Sequence, residues 1–262
     1  MKTAYKFLSF LLAGAVLSSS NDLLEETPSS GYDKDKFFES AEKADMAILG
    51  IMSSISDYNH YGQDEMAMPT SDDMYFASRT QTDNKINDIS HYRYNSGNDW
   101  VEYLWRMKYQ GIDRANTAIR GISGMEDFAT DAELRRLEGE ARFLRAFLTF
   151  DLIKYWGEVP YTTEPTSGYD SSFRPRRTHD ELYDIVVEDL TRAAEQLPWA
   201  ADGVSPERAT QGAARALLMR VLMQRAGYWL ATDGTFSRPS AAVRRQCYTQ
   251  VLEQWEEFKK NG

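Results

Sequence analysis

The sequence predicts an all-α protein, a tetratricopeptide-like (TPR-like) helical repeat scaffold that carries long ligand-binding loops. Three observations support this fold class. Apolar residues recur at helical spacing in six segments, consecutive segments can pair as helical hairpins, and no run alternates convincingly between apolar and polar residues. Paired helices in series are typical of repeat scaffolds. The spacing across the first hairpin is too long for a strict TPR motif, so the prediction is TPR-like rather than TPR.

The third predicted helix, from Asp131 to Trp156, carries the strongest pattern. Thr130 and Glu133 have the spacing of a capping box at its start. Gly157 can adopt the left-handed conformation that ends a helix, and a proline follows shortly after. Two apolar stripes predict that neighbouring helices cover this helix from both sides: Leu134, Leu137, Ala141, Leu144, Leu148, Leu152 and Tyr155 in one, and Phe143, Phe147 and Phe150 in the other.

Asp151 falls on the first of these apolar stripes. Burial of a polar group without a hydrogen-bond partner costs roughly 2–7 kcal/mol of folding free energy, and an unpaired carboxylate is at least as costly. We therefore expect Asp151 to pair with a charged or polar group on a neighbouring helix.

Two helices are predicted before the long one. The first extends from about Ser40 to Ile55, with Ala44, Ile48 and Ile51 on its apolar face. The second opens at Asp99, with Glu102 at capping-box spacing. In the second helix, Gly111 and two alanines would let a partner helix approach closely; its apolar face comprises Leu104, Met107, Gly111, Ala115, Ala118 and Ile122.

Three helices are predicted after it. The fourth starts at Thr178, with Glu181 in a further capping box, and stops at Pro198. The fifth follows Thr210 and places Trp229 on its inward face. The sixth extends from about Pro239 to Lys260 and contains Cys247, which we expect to be buried as a small apolar residue.

Composition excludes several classes of protein. The 262-residue chain has a formal charge of −10 and a pI near 4.9, which argues against nucleic acid or an anionic membrane surface as a partner. Arg174, Arg176 and Arg177 form the one short basic cluster, and a solvated loop is the simplest interpretation. With a single cysteine, no intramolecular disulfide can form. Residues 1–20 have the charged start, apolar middle and small-residue end of a signal peptide.

Two long loops interrupt the helical pattern, from Asp57 to Asn98 and from Gly157 to Arg177. Tyrosine presents a flat apolar face and a polar tip, which suits sugars. From position and chemistry, the candidate ligand-binding residues are Asp72, Asp73, Tyr75, Arg79, Tyr92 and Tyr94. The alternatives are that the rings only hold the loops against the scaffold and that Arg79 is solvated.

The sequence offers little support for catalysis or cofactor binding. No nucleophile elbow, phosphate loop, dinucleotide fingerprint or zinc-ligand spacing is present. The adjacent pair Asp72 and Asp73 could form a glycosidase site, but 40 acidic residues make such neighbours expected by chance. His60, His91 and His179 are isolated in sequence. We predict a protein that is not an enzyme and has no cofactor, with a structural calcium ion possible in the acidic loop.

The run GEARFLRAFLTFDLIKYWGEVP, from Gly139 to Pro160, resembles the signature helix of the SusD/RagB family of nutrient-binding outer-membrane lipoproteins of Bacteroidetes. Three further blocks are similar to the family and follow in family order: WRMKYQGIDRANTAI, ELYDIVVEDLTRAAEQLP and RATQGAARALLMRVLM. Together with the signature helix they cover most of residues 21–262.

The resemblance implies a function in nutrient uptake at the cell surface. A member of this family binds a glycan, or a peptide in the RagB branch, on the extracellular face of the outer membrane. It delivers that ligand, without catalysis, to a SusC-like TonB-dependent transporter. The alternative from another class is a TPR-type scaffold for protein interactions that binds no small ligand.

Two features depart from the family pattern. Ser20 occupies the position at which members carry the lipobox cysteine, and serine cannot form the thioether to lipid. The chain is also shorter than complete members and is expected to lack their C-terminal part, so residues 21–262 would be the N-terminal helical region. An uncapped repeat array exposes an apolar face, and we therefore expect marginal stability for this region alone.

Overall fold

The computed structural model describes residues 37–57, 60–61, 88–89 and 92–261. Among the described residues, helices α1, α2 and α3 come first. A four-residue helix, α4, then lies in the loop before α5, and a short hairpin of β1 and β2 separates α6 from α7. The bounds are α1 Ala41–Ile55, α2 Asp99–Ser123, α3 Ala132–Trp156, α4 Tyr169–Ser172, α5 His179–Gln196, α6 Gln211–Arg225, β1 Trp229–Leu230, β2 Phe236–Ser237 and α7 Ala241–Asn261.

Two of the predicted caps are wrong by one residue. Asn98, rather than Asp99, caps α2, because its side chain accepts hydrogen bonds from the backbone N–H groups of Trp100 and Val101. Asp131 caps α3 in the same way, while the hydroxyl of Thr130 donates to a backbone carbonyl in the preceding turn. A carboxylate or amide oxygen that reaches two helical N–H groups outcompetes a capping box one residue away.

The other predicted starts are confirmed. Ser40 caps α1 and Thr210 caps α6, each through its hydroxyl oxygen. Thr178 and Glu181 form a reciprocal capping box at α5, with Glu181 accepting from the N–H of Thr178 at 2.8 Å.

Helix α3 lies at the centre of residues 38–262, which form one compact unit. It packs against α2 on one side and α5 on the other, while α1 contacts α2 and α3, and α6 contacts α5 and α7. The predicted pairs of hairpins and the two covered faces of α3 are therefore confirmed. Tyr155, at the end of the first stripe, is an exception and is exposed.

Close packing explains one of the predicted glycines. A Cβ atom at Gly111 would lie 2.5 Å from a methyl group of Leu148, so the glycine lets α3 approach α2. Gly139, the first residue of the signature run, likewise lets α3 approach α5, because a Cβ atom there would lie 2.9 Å from the Cβ of Gln196. Gly157 ends α3 with a φ of 66°, a conformation that favours glycine.

The fifth predicted helix was extended too far. It ends at Arg225, and Trp229 lies in β1, where its ring stacks on His179 with centroids 3.9 Å apart. Gly227 breaks the helical pattern before the strand. Cys247 is buried in α7 as expected. Among the described residues, no helix is long and apolar enough to cross a membrane.

Candidate functional site

Four of the six predicted ligand-binding residues, Asp72, Asp73, Tyr75 and Arg79, lie outside the described residues. The other two lie on the segment that leads into α2. The Tyr92 side chain is 69% exposed and that of Tyr94 is 53% exposed, so both rings are available to a ligand. Neither ring forms part of the described core, and the two interpretations, a ligand contact and a contact that holds the loop against the scaffold, both stay open.

The backbone of Tyr92 is in the left-handed region, with a φ of 57°. For a residue other than glycine this conformation costs about 1–2 kcal/mol. Two backbone hydrogen bonds hold the turn: the N–H of Tyr92 donates to Ile89 at 3.0 Å, and that of Arg93 donates to Asp88 at 2.7 Å. Strain of this kind often occurs at binding sites, where it fixes a side chain in position.

A small polar cavity of about 140 Å³ is lined in part by Tyr94. It is smaller than the roughly 300–1,000 Å³ of clefts that bind drug-sized ligands, and so suits part of a sugar ring. Carboxylates, amides and a guanidinium provide both donors and acceptors for hydroxyl groups. The lining consists of Asp88, Arg93, Tyr94, Asn95, Gly97, Asn98 and Asp99.

The first turn of α2 holds the base of this cavity. Asn98 both lines the cavity and caps the helix, while Trp100 packs against Ile89 and Leu104 in a small apolar cluster. The indole Nε1 of Trp100 is shielded from solvent and has no hydrogen-bond partner among the described residues. Trp100 is buried and supports the helix start, next to the cavity-lining residues Asn98 and Asp99 in sequence.

A buried polar cluster fixes the start of the first long loop. His60 and Tyr61, just after α1, approach Lys108 on α2 and Asp151 on α3. The Nζ of Lys108 donates to Asp151 at 3.0 Å and lies 3.1 Å from the Nε2 of His60, while the hydroxyl of Tyr61 donates to Asp151 at 2.8 Å. The partner expected for Asp151 on a neighbouring helix is therefore Lys108.

Burial and neighbouring charges set the pKa values in this cluster. Burial, followed by the nearby Lys108 ammonium, lowers the pKa of His60 to about 4. Burial alone would raise the pKa of Asp151, but the charges of Lys108 and Lys154 more than offset it and hold that pKa below its usual value. At neutral pH the imidazole of His60 is therefore neutral and Asp151 is a carboxylate.

A second polar cluster joins α2, α3 and α5. Arg145 on α3 donates to both carboxylate oxygens of Asp189 on α5, at 2.7 Å each, and to the amide oxygen of Asn116 on α2 at 2.8 Å. Arg142 also donates to Asp189, at 2.9 Å. These contacts explain the two arginines of the signature run, which hold three helices together.

A groove that the sequence analysis missed runs beside this cluster. Its volume is about 700 Å³, and it is lined by Asn116, Ile119, Arg120, Arg142, Arg145, Ile185, Glu188 and Asp189, among others. The residues come from three helices that are distant in sequence, and no local motif indicates that they meet. Because Arg142 and Arg145 both pair with Asp189, the groove shows a structural network more clearly than a ligand site.

Metal binding finds no support in the described part of the chain. Within those residues no group of three or more His, Cys, Asp or Glu side chains could hold an ion. The predicted calcium site, in the acidic loop around Asp72 and Asp73, lies outside the described residues and stays a prediction.

Most of this chain matches the model of a known protein family. Residues 22–223 match a family of SusD-like proteins described as "Starch-binding associating with outer membrane". The chain belongs to the SusD-like family. The resemblance inferred from the signature run is thereby confirmed.

Individual SusD-like proteins show the same relationship at low identity. SusD-like protein P25 of Formosa agariphila is 22% identical over 213 residues, which cover 79% of this chain and 40% of P25. A crystal structure of a SusD homologue from Bacteroides thetaiotaomicron has a TM-score of 0.69 and 22% identity, over 87% of this chain and 42% of the homologue.

A third SusD-like protein is described as laminarin-binding. Its structure has a TM-score of 0.61 and 22% identity, over 83% of this chain and 42% of its own. At this identity the likeness shows a shared fold. The chain spans about 40% of the length of the SusD-like relatives it matches.

Proposed function

We propose that this chain is part of a cell-surface glycan-binding protein that delivers oligosaccharides to a SusC-like TonB-dependent transporter and performs no catalysis. The observation that carries the proposal is a pair of exposed tyrosines, Tyr92 and Tyr94, of which Tyr94 lines a polar cavity, in a chain of the SusD-like family. The family description as starch-binding and the laminarin-binding relative favour a glycan as the ligand.

The geometry of the segment fits this chemistry. An exposed ring can stack on the apolar face of a pyranose, while charged and amide groups receive its hydroxyls. The strained backbone at Tyr92 and the cap at Asn98 fix those groups on the end of a rigid helix, which lowers the entropic cost of binding. The residues of the first loop named from the sequence, Asp72, Asp73, Tyr75 and Arg79, are proposed to extend the same site.

We propose that the protein lies at the extracellular face of the outer membrane. The family description as associating with the outer membrane supports this location. With serine at position 20, attachment is proposed to rest on the transporter partner, or on a lipid anchor if one is present.

Affinity electrophoresis on a panel of polysaccharides tests the proposal. The unmodified chain should be retarded by at least one glycan, and a Tyr92→Ala, Tyr94→Ala variant should lose most of that retardation. Tyr248→Ala, which removes an exposed ring from α7, is the matched control and should behave like the unmodified chain.

Two results would contradict the proposal. Retardation by no polysaccharide, together with binding to peptides, would favour a RagB-like peptide-binding function. Equal retardation of the double variant and the Tyr248→Ala control would place the glycan site elsewhere on the molecule.

A further inference from the structure

The second long loop is held by its own stem. Pro160 and Arg176 form an antiparallel bridge, and the N–H of Arg177 donates to the carbonyl of Val159 at 2.9 Å. The loop therefore leaves and rejoins the scaffold at one point. Compact surface loops whose ends are close together are frequently functional.

The first half of this loop is fixed on α2. The Tyr109 hydroxyl donates to the Pro160 carbonyl at 2.6 Å, and the Asn116 amide donates to the carbonyls of Thr162 and Glu164 at 3.0 and 3.3 Å. On the same helix, the carboxylate of Asp113 accepts from the N–H of Thr166 at 2.8 Å. These bonds give the loop a defined position over the helix.

A cavity of about 230 Å³ lies between this loop and α2. Aromatic rings from Tyr109 and Tyr161 line one part of it, and polar side chains line another. The polar side chains in the lining are Asp113, Ser171, Ser172 and Arg174. The hydroxyl of Ser171 is already bonded within the loop, because it donates to the Gly168 carbonyl and accepts from the N–H groups of Ser167 and Gly168. This combination of apolar surface with a few convergent polar groups is typical of small-molecule sites.

Arg174 is the member of this lining whose bonding is incomplete. Its Nε is shielded from solvent and has no hydrogen-bond partner in the described part of the chain. Its neighbour Arg177, by contrast, pairs with Glu181 at 3.2 Å. A buried donor left unpaired costs about 1–3 kcal/mol. An acceptor on a ligand would remove this cost, and a carboxylate would also match the guanidinium charge.

Two aromatic side chains lie on the turn that carries Arg174. Tyr169 is 79% exposed and Phe173 is 64% exposed, and their rings meet edge to face with centroids 5.0 Å apart. Neither ring contributes to the hydrophobic core. Large aromatic side chains exposed together on a surface turn mark an interaction site more often than an isolated exposed ring does.

We propose that this cavity and turn bind a carboxylate-bearing sugar, a uronic acid residue within an oligosaccharide. Arg174 receives the carboxylate, Asp113 and the hydroxyl oxygen of Ser172 accept hydrogen bonds from the ring hydroxyls, and Tyr169 and Phe173 offer faces for stacking. The proposal rests on the proposed glycan-binding function. The site is nevertheless separate, because Asp113 follows Asp99 by 14 residues on α2, which corresponds to about 21 Å.

Titration calorimetry of the chain with trigalacturonate, and with the neutral galactotriose as comparison, tests this site. The acidic trisaccharide should bind more tightly than the neutral one, and added salt should weaken only the acidic one. Arg174→Gln should weaken binding of trigalacturonate by about tenfold, the loss expected for a charge-assisted hydrogen bond. Arg176→Gln, a matched change in the same basic cluster, should bind as the unmodified chain does.

Equal affinity for the two trisaccharides, no binding of trigalacturonate, or unchanged binding by Arg174→Gln would each overturn the inference. If Arg174→Gln unfolds, Phe173→Ala provides the test. This variant keeps every charged group of the site and should still bind trigalacturonate more weakly, because one stacking ring is lost. The Tyr92→Ala, Tyr94→Ala variant separates this site from the proposed function. If that variant loses polysaccharide retardation but still binds trigalacturonate, the result supports two separate sites. If the unmodified chain is retarded by a polysaccharide but does not bind trigalacturonate, only the uronic acid site is rejected and the proposed function stands.

Discussion

The ammonium group of Lys108 on α2 lies 3.0 Å from a carboxylate oxygen of Asp151 on α3, and both side chains are buried. The ring of Tyr61 lies 4.7 Å from the same ammonium, and its hydroxyl donates to the same carboxylate. One ion pair thus links the two central helices to the residues that open the first long loop. The cost of burying these charges is offset only while all of the partners are present.

Replacement of Lys108 alone should therefore lower the free energy of unfolding far more than replacement of both Lys108 and Asp151. Lys108→Met leaves the Asp151 carboxylate buried beside one partly exposed lysine, and we expect the free energy of unfolding to fall by about 3–5 kcal/mol. Lys108→Met with Asp151→Leu should recover most of that loss. Urea unfolding followed by circular dichroism measures both variants, and equal destabilisation by the single and double changes would contradict the assignment.

Acid should destabilise the protein through His60. Its pKa in the folded state is about 4, against an ordinary value of 6.5, so the unfolded chain binds a proton first as the pH falls. The stability that the neutral imidazole contributes is complete above pH 6.5 and is lost as the pH falls toward 4, with a slope of at most about 1.4 kcal/mol per pH unit.

His60→Gln should flatten this part of the stability profile. His179 also has a pKa lowered by burial, so some dependence on pH should remain in that variant. The check is the unfolding midpoint in urea between pH 4 and pH 7, and an unaltered slope in His60→Gln would show that His60 is not buried in its neutral form.

Gly139 should not tolerate even a methyl group. A Cβ atom there would lie 2.9 Å from the Cβ of Gln196, which cannot rotate away because the backbone of α5 fixes its position. We expect Gly139→Ala to cost about 1–3 kcal/mol despite the better helix propensity of alanine.

Gly50 in α1 is the matched control. A Cβ atom there has nothing within 4 Å, so Gly50→Ala should stabilise the protein by up to about 1 kcal/mol. Thermal melting of the two variants distinguishes the effects, and a shift in the same direction for both would argue against close packing of α3 and α5.

Asn116 should control the order of the second loop. Its side chain bonds two loop carbonyls and accepts from Arg145, so Asn116→Ala removes three hydrogen bonds at once. Faster trypsin cleavage after Arg176 and Arg177 is expected, because the loop would open more often. Thr117→Ala, which removes one bond within α2, is the control and should be cut at the original rate.

Much of the scaffold was predictable because its signals are local. Apolar spacing located the six long helices, and hydroxyl caps located the starts of α1, α5 and α6. The predicted N-caps of α2 and α3 were wrong by one residue, because Asn98 and Asp131 compete with the neighbouring capping-box residues. Backbone geometry decides which residue caps the helix. Trp229 was assigned to a helix because a two-residue strand has no periodicity to detect.

The sequence by itself determined the class of helices, the family blocks, the need for a partner at Asp151 and the aromatic character of the loops. Only the tertiary structure decided that this partner is Lys108, that Arg145 joins Asp189 to Asn116, and that Arg174 lies in a cavity beside Tyr109. The reason is physical: periodicity and capping act between residues a few positions apart, whereas ion pairs and cavities form between helices that only packing brings together.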